Sequence, residues 1–383
     1  MSKRCTRFGI AIALVGALAA VTAPAAPARS PGEAKLQRQL NALVAAKGGP
    51  PGAIVTLRRG QRMRVLTAGV ADVQTQRRPR ATDHMRIASV AKAFSGAVAL
   101  RLVADGKLRL DDAIGGVLPT LPRAWSAVTL RQLLNHTSGV PDYTQSRGFR
   151  RQFVKDPDGY VSPTKLIGWV RRDPLVFKPG RRYEYSNTDN IVVGLMAEKV
   201  SGSSYASLLD QIVFEPLGLT QTSLAIRTAL PRPFIHGYVY GDVIDETTTP
   251  QDVSTLLSPS GAWASGGIVS TPRDLNGFIA AYLGARLFPA ELQREQLRFW
   301  PSGQSSPPGP GSNSAGLAVS RYRTKCGTVY GHTGNFPGYV QFAAASRDGT
   351  RSLTTSLNIP APEGNLLARL RGMQRTAVCA LLR

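Results

Sequence analysis

The two ends of this chain carry mirror-image patterns, and that symmetry restricts the fold more than any other feature. Near the start, residues 35–46 (KLQRQLNALVAA) put Leu36, Leu40, Leu43 and Val44 on one helical face, and the GGPPG that follows ends the helix. Two short β-rich runs come next, at 53–57 and 63–68, joined through Arg59-Gly60. The far end returns to strands at 316–322, 328–332, 339–346 and 351–358, the last two joined by an Asp348-Gly349 turn. A closing helix over 362–382 spaces Leu366, Leu370, Met373, Ala377 and Leu381 on one face. Helix then strands, answered by strands then helix, predicts an α+β fold, an α/β sandwich: one antiparallel sheet covered by the N- and C-terminal helices. The middle, about 80–255, reads as mostly helical and is inserted between the two halves, which puts a functional site at their seam. Residues 301–316 are low in complexity and read as an exposed loop. No repeat of 20–50 residues is present.

The first 28 residues stand apart from that plan. Lys3, Arg4 and Arg7 precede an apolar run from 8 to 21, followed by small-residue cleavage contexts at Ala25 and Ala28. This is the pattern of a secretory signal peptide, too short to span a bilayer. It predicts a secreted protein whose single folded domain covers 29–383.

The chain carries 47 Lys+Arg against 24 Asp+Glu, a formal +23, and loss of residues 1–28 removes three bases and no acid. Export and the scattered arginines, without interleaved aromatics, argue against nucleic acid. The charge suits an anionic cell wall. Cys5 goes with the leader, leaving Cys326 and Cys379, an even pair that in an oxidising compartment predicts one disulfide. His84, His136, His236 and His332 lie far apart with no metal-ligand spacing, so no metal or other cofactor is expected. His136 reads as structural.

Three short elements carry chemistry. Ser89-Val90-Ala91-Lys92 is an S-x-x-K opening an apolar periodic segment, so the lysine sits on the serine's helical face and can reach its hydroxyl. The motif alone is weak, because Ser162-Pro163-Thr164-Lys165 repeats it; there, Ser as N-cap and Pro at the first helical position explain the residues. Ser89 has company: Tyr185-Ser186-Asn187 follows at the entry to a helix-like segment, and His332-Thr333-Gly334 ends a strand. Tyr185 can move a proton if neighbouring cations lower its pKa, Asn187 can hold an amide, and the glycine lets a substrate backbone approach. The combination supplies nucleophile, base, amide holder and platform.

With these motifs in this order the chain resembles the serine penicillin-recognising enzymes, within them the class C β-lactamase and D-alanyl-D-alanine carboxypeptidase group with its related esterases. Further matching stretches are LRQLLNHTSGVPDY (130–143) and GGIVSTPRDL (266–275). The resemblance runs from about residue 36 to the end and implies a β-lactamase/transpeptidase-like fold. It implies that Ser89 is acylated, that Lys92 and Tyr185 move protons, and that Asn187 binds the substrate amide. His332, Thr333 and Gly334 would form the edge strand, with an oxyanion hole from the backbone N–H groups of Ser89 and Asn335. Class C β-lactamases carry Lys where this chain has His332, and HTG looks like secreted actinomycete-type DD-carboxypeptidases. In those enzymes a cysteine pair matches Cys326 and Cys379, and an Arg shortly before the first holds the terminal carboxylate. Arg321 and Arg323 both qualify here.

The resemblance therefore implies a secreted serine D-Ala-D-Ala carboxypeptidase or transpeptidase, acylated by β-lactams and acting on peptidoglycan stem peptides. An esterase or a β-lactamase of the same family are the rivals within serine chemistry; a non-catalytic wall- or penicillin-binding module stands outside it. An α/β-hydrolase is disfavoured, because no G-x-S-x-G elbow occurs. Oligomeric state is not legible.

Overall fold

The computed structural model describes residues 29–241, 249–304 and 306–383, so the leader read at 1–28 lies outside the described residues. Seven strands form one antiparallel sheet: β1 (Gly52–Arg59), β2 (Arg62–Gly69), β3 (Ser312–Ala315), β4 (Ser320–Thr324), β5 (Gly327–Phe336), β6 (Tyr339–Ala345) and β7 (Arg351–Leu357). Their order is β2-β1-β7-β6-β5-β4-β3. Pairing of β1 with β7, from Ala53 opposite Leu357 to Arg59 opposite Arg351, joins the start of the chain to its end.

Helix α1 (Pro31–Val44) begins earlier than its apolar periodicity, because Ser30 and Glu33 form a capping box and Pro31 occupies the first turn. It packs beside α7 (Gly364–Leu382) on one face of the sheet, where Leu36, Leu40, Leu370, Met373 and Leu381 cover Val55, Val340 and Phe342. The other face carries α2 (Ala91–Ala104) and α6 (Pro272–Leu283), whose Phe94 and Phe278 rings stack 3.5 Å apart. With both faces covered, β6 alternates Val340, Phe342 and Ala344 toward the first layer with Ala343 and Ala345 toward the second. Asn276 of α6 bridges to the sheet, donating to Thr56 Oγ1 (2.8 Å) and accepting from Ser352 Oγ (2.6 Å), so this buried polar contact is satisfied.

Two local expectations change. The run at 316–322 is not one strand: residues 316–319 turn through Ala318 (φ +52°) between β3 and β4, residues 320–322 open β4, and β3 uses residues near the end of the low-complexity stretch. The helical middle, with α3 (Arg147–Lys155), α4 (Pro163–Gly168) and α5 (Asn187–Ser201), also contains two small sheets. Their strands are two or three residues long, too short for an alternating pattern to show. One of them, Met85–Arg86 against Ile268–Ser270, continues into the nucleophile turn, where Ile87 N–H donates to Ile268 O at 3.1 Å.

Candidate active site

Ser89 lies in a short 3-10 turn, Ala88–Val90, that runs directly into α2. The residue before it, Ala88, is held at φ +52°, a conformation that costs a non-glycine residue energy and persists only where its surroundings enforce it. Strand β5 supplies that enforcement. A Cβ on Gly334 would stand 2.6 Å from Ile87 O and 3.0 Å from Ser89 N, so only glycine lets the strand come this close. Strand β4 pairs with β5 only from Gly327 to Gly331, so past His332 the strand runs beyond the end of β4.

Lys92 is fully buried, and its Nζ donates to Ser89 Oγ (3.2 Å), Asn187 Oδ1 (2.8 Å) and Ser265 O (2.8 Å). Burial strips the ammonium of water and brings its pKa down to about 7, although Asp142 and Asp189 favour the charged form. The amine is thus available as a base near neutral pH. The Asn187 amide is shared, since its Nδ2 donates to Asp142 Oδ2 at 2.9 Å.

Tyr185 departs from expectation. Burial pushes its phenol well above its ordinary value, with Ser89 the opposing hydrogen-bonding influence, and its hydroxyl has no partner of normal hydrogen-bond geometry. The Lys92 Nζ lies 4.9 Å from the ring centroid rather than against the oxygen. His332 offers no cation either: burial, with Lys92 nearby, takes it down to about 3. Tyr185 therefore stays a neutral phenol, suited to donating a proton.

Behind Tyr185 stands His136, its ring 4.5 Å away and its backbone at φ +58°. His136 Nδ1 meets Asp189 Oδ2 at 2.8 Å, and Ser138 Oγ donates to Asp189 Oδ1 at 2.5 Å. Burial moves the histidine well below and the carboxyl well above their ordinary values, disfavouring the charged form of each. Ser186 N–H also points at Nδ1 (3.4 Å).

Ser89, Tyr185, Asn187 and Asn335 open onto a cavity of about 490 Å³. Phe149 and Phe153 of α3, with Tyr143, Trp169 and Phe336, form aromatic walls, and Asp142 and Asp156 are its charged lining. Among the described residues no Lys or Arg lines it. Arg321 stacks over Phe299 (4.5 Å to the ring centroid) and donates to Ser314 Oγ, and Arg323 is exposed farther along β4, so the structure brings neither expected carboxylate grip to the cavity. Thr333 Oγ1 donates to Pro307 O (2.7 Å), and the Asn335 carboxamide accepts from Ala361 N–H (2.7 Å). Cys326 and Cys379 are joined in a disulfide that ties the β4–β5 turn to α7.

Asp142, Asp189 and the Ser265 carbonyl had no place in the sequence reading. Asp142 lies inside the stretch 130–143, and its role emerges only when Asn187 folds onto it. The aromatic wall had a signal, the i, i+4 pair Phe149 and Phe153.

A serine at a strained turn, a buried lysine one helical turn on and an adjoining sheet strand define a serine hydrolase of the β-lactamase fold. The model of the Beta-lactamase family matches residues 35–376, and the chain belongs to that family. A D-stereospecific amidohydrolase from Streptomyces sp. superimposes with a TM-score of 0.76 at 30% identity, covering 88% of this chain and 98% of that one. D-amino acid amidase from Ochrobactrum anthropi SV3 gives 0.79 at 25% identity, covering 92% and 98%. A penicillin-binding protein of Bacillus subtilis (strain 168) is 31% identical over 216 residues, 53% of this chain and 46% of that protein. The chain thus spans less than half the length of that curated relative.

Proposed function

We propose that this protein is an exported serine amidohydrolase that forms an acyl-enzyme on Ser89 with D-configured acyl donors, D-aminoacyl amides and short peptides foremost. The observation that carries the acyl-enzyme is the buried Lys92 amine, 3.2 Å from Ser89 Oγ with a pKa of about 7. Neutral Lys92 takes the Ser89 proton as Oγ adds to the substrate carbonyl. The backbone N–H groups of Ser89 and Asn335 receive the oxyanion, worth a few kcal/mol in the transition state. The Lys92 ammonium returns that proton to the leaving nitrogen, toward which Tyr185, kept as a phenol, directs a hydrogen bond. Water then attacks the ester by the same path in reverse, releasing the acid.

The choice of amide over carboxypeptidase substrates rests on the cavity's charge. A peptide ending in D-Ala-D-Ala presents a carboxylate, whereas the charged groups lining the cavity among the described residues are Asp142 and Asp156. The names of the two structural neighbours, a D-stereospecific amidohydrolase and a D-amino acid amidase, support the same choice. Carboxypeptidase action remains the second reading, favoured by His332-Thr333-Gly334 and the Cys326–Cys379 bridge. Export rests on the leader pattern of residues 1–28.

The discriminating experiment compares D-phenylalanine amide, its L-enantiomer, a peptide ending in D-Ala-D-Ala and a labelled penicillin. The D-amide should exceed its enantiomer in kcat/KM by about a hundredfold, a ratio within reach of pocket discrimination. D-Ala release as the dominant turnover would return the reading to carboxypeptidase, and fast penicillin turnover without either would make it a β-lactamase.

A further inference from the structure

The cavity beside Ser89 is lined by acids, yet the chain as a whole carries a large positive excess, so the cations lie elsewhere. One concentration of them surrounds a cleft of about 930 Å³ between the start of α1, the β4–β5 turn and the last turns of α7. Lys35, Arg59, Lys325, Arg375 and Arg383 line this cleft, and no Asp or Glu among the described residues does. We infer that this cleft is a docking site for a linear phosphate polyanion, separate from the catalytic cavity.

These cations differ in what already holds them. Arg59 is engaged: it lies 3.5 Å from Glu33 and donates to the carbonyls of Ala380 and Leu381. Arg351 donates to Leu382 O, so two strand guanidinium groups satisfy carbonyls that the end of α7 leaves without helical partners. Lys35, Lys325 and Arg375 are exposed, and none is ion-paired with a described residue. Helix α7 contains Arg369, Arg371 and Arg375 and no acid; Arg375 lines the cleft, while Arg371 donates to the carbonyls of Gly309 and Gly311. The single acid of α1, Glu33, is 4% exposed and held between Arg59 and Arg64. Among the described residues no Asp or Glu pairs with Lys35, Lys325 or Arg375, and the disulfide fastens the Lys325 turn to α7, so these cations sit on a preorganised frame.

Cations spread along a groove suit a chain of charges better than a single small anion, since each neutralised phosphate releases counterions. Mixed Arg and Lys provide both a bidentate fork and point charges for phosphate oxygens. A bilayer surface fits less well, because the cations line a concave cleft that a flat plane of headgroups enters less readily than a flexible chain, and the lining offers few apolar groups to insert. The distance between sites permits simultaneous use: Gly327 and Gly334, at opposite ends of β5, are seven residues apart, about 23 Å at strand rise. The inference is independent of which amide Ser89 cleaves.

The test measures binding of the whole protein to linear inorganic polyphosphate, orthophosphate and phosphatidylglycerol vesicles over a range of salt. The combined Lys35→Glu, Lys325→Glu and Arg375→Glu variant should lose at least about tenfold in polyphosphate affinity and show a flatter salt dependence. A control with Lys107→Glu, Arg123→Glu and Arg227→Glu has the same net charge change on other exposed sites and should stay within about threefold. Both should hydrolyse a small amide as the parent does, which also reports folding. If the reversal variant fails to fold, alanine at the same three positions should give an intermediate loss. Equal losses in both sets, no binding of polyphosphate by the parent protein, or binding to vesicles alone would each overturn the assignment.

Discussion

Ser89 and Ser162 head the same four-residue motif, and the fold treats them oppositely. Ser162 caps α4: its Oγ accepts from Lys165 N–H at 3.2 Å, and Lys165 reaches out to Gln152 Oε1 from an exposed position. Ser89 makes no cap. Its lysine is buried and held by three oxygens, its turn is forced through Ala88, and β5 presses against its amide. The spacing gives both lysines the same reach; removal from water, which sequence spacing does not encode, gives only one of them the pKa of a base.

The widest expected gap between the two copies is in turnover. Ser89→Ala should lower kcat by at least about a thousandfold on every substrate, whereas Ser162→Ala should leave kcat/KM within about twofold. The cap variant should instead lower stability by about 1 kcal/mol, read as a fall in melting temperature. Activity in both would dissolve the distinction.

Lys92 and Lys165 provide the next contrast. Lys92→Arg should cost about a thousandfold, because a guanidinium stays protonated, while Lys165→Arg should be silent. In the parent protein kcat/KM should rise with pH through about 7, as Lys92 loses its proton, and then level off. Stability moves with the same titration. Between pH 7 and 10.5 the unfolded chain binds a proton at this residue that the folded one does not, so stability should increase with pH across that window. Measured against Lys92→Met, the gain should be on the order of 4 kcal/mol, visible in denaturant midpoints.

Smaller effects probe what surrounds the first copy. Gly334→Ala should lower kcat/KM by about ten- to a hundredfold as β5 is pushed from Ser89 N. Asp142→Asn removes a carboxylate that favours the charged amine, so the acid limb of the pH profile should move to lower pH. Reduction of Cys326–Cys379 should lower stability, by roughly 4 kcal/mol on a chain-entropy account, with little change in the rate of acylation.

Much of the frame was legible because long periodic elements announce themselves: α1, α7 and strands β5 to β7 fall where their apolar patterns place them. The elements that position Ser89 were not. Its supporting strand is two residues long, Ala88 carries no signal of its positive φ, and Asp142 and Asp189 look like ordinary acids until the chain buries them. The arginines mislead for the reverse reason. Distance along the strand marked Arg321 and Arg323 as candidates, but Arg321 turns to Phe299 and Ser314, contacts that depend on where β3 and its preceding segment fold.

The most direct test is to treat the protein with an excess of an uncharged serine-directed fluorophosphonate, digest it with trypsin and weigh the peptides. The account predicts an adduct on the peptide 87–92, which contains Ser89 and ends at Lys92, with the peptide 156–165 containing Ser162 unmodified. An adduct on the second peptide, or none on the first, would contradict the assignment of Ser89 as the acylated residue.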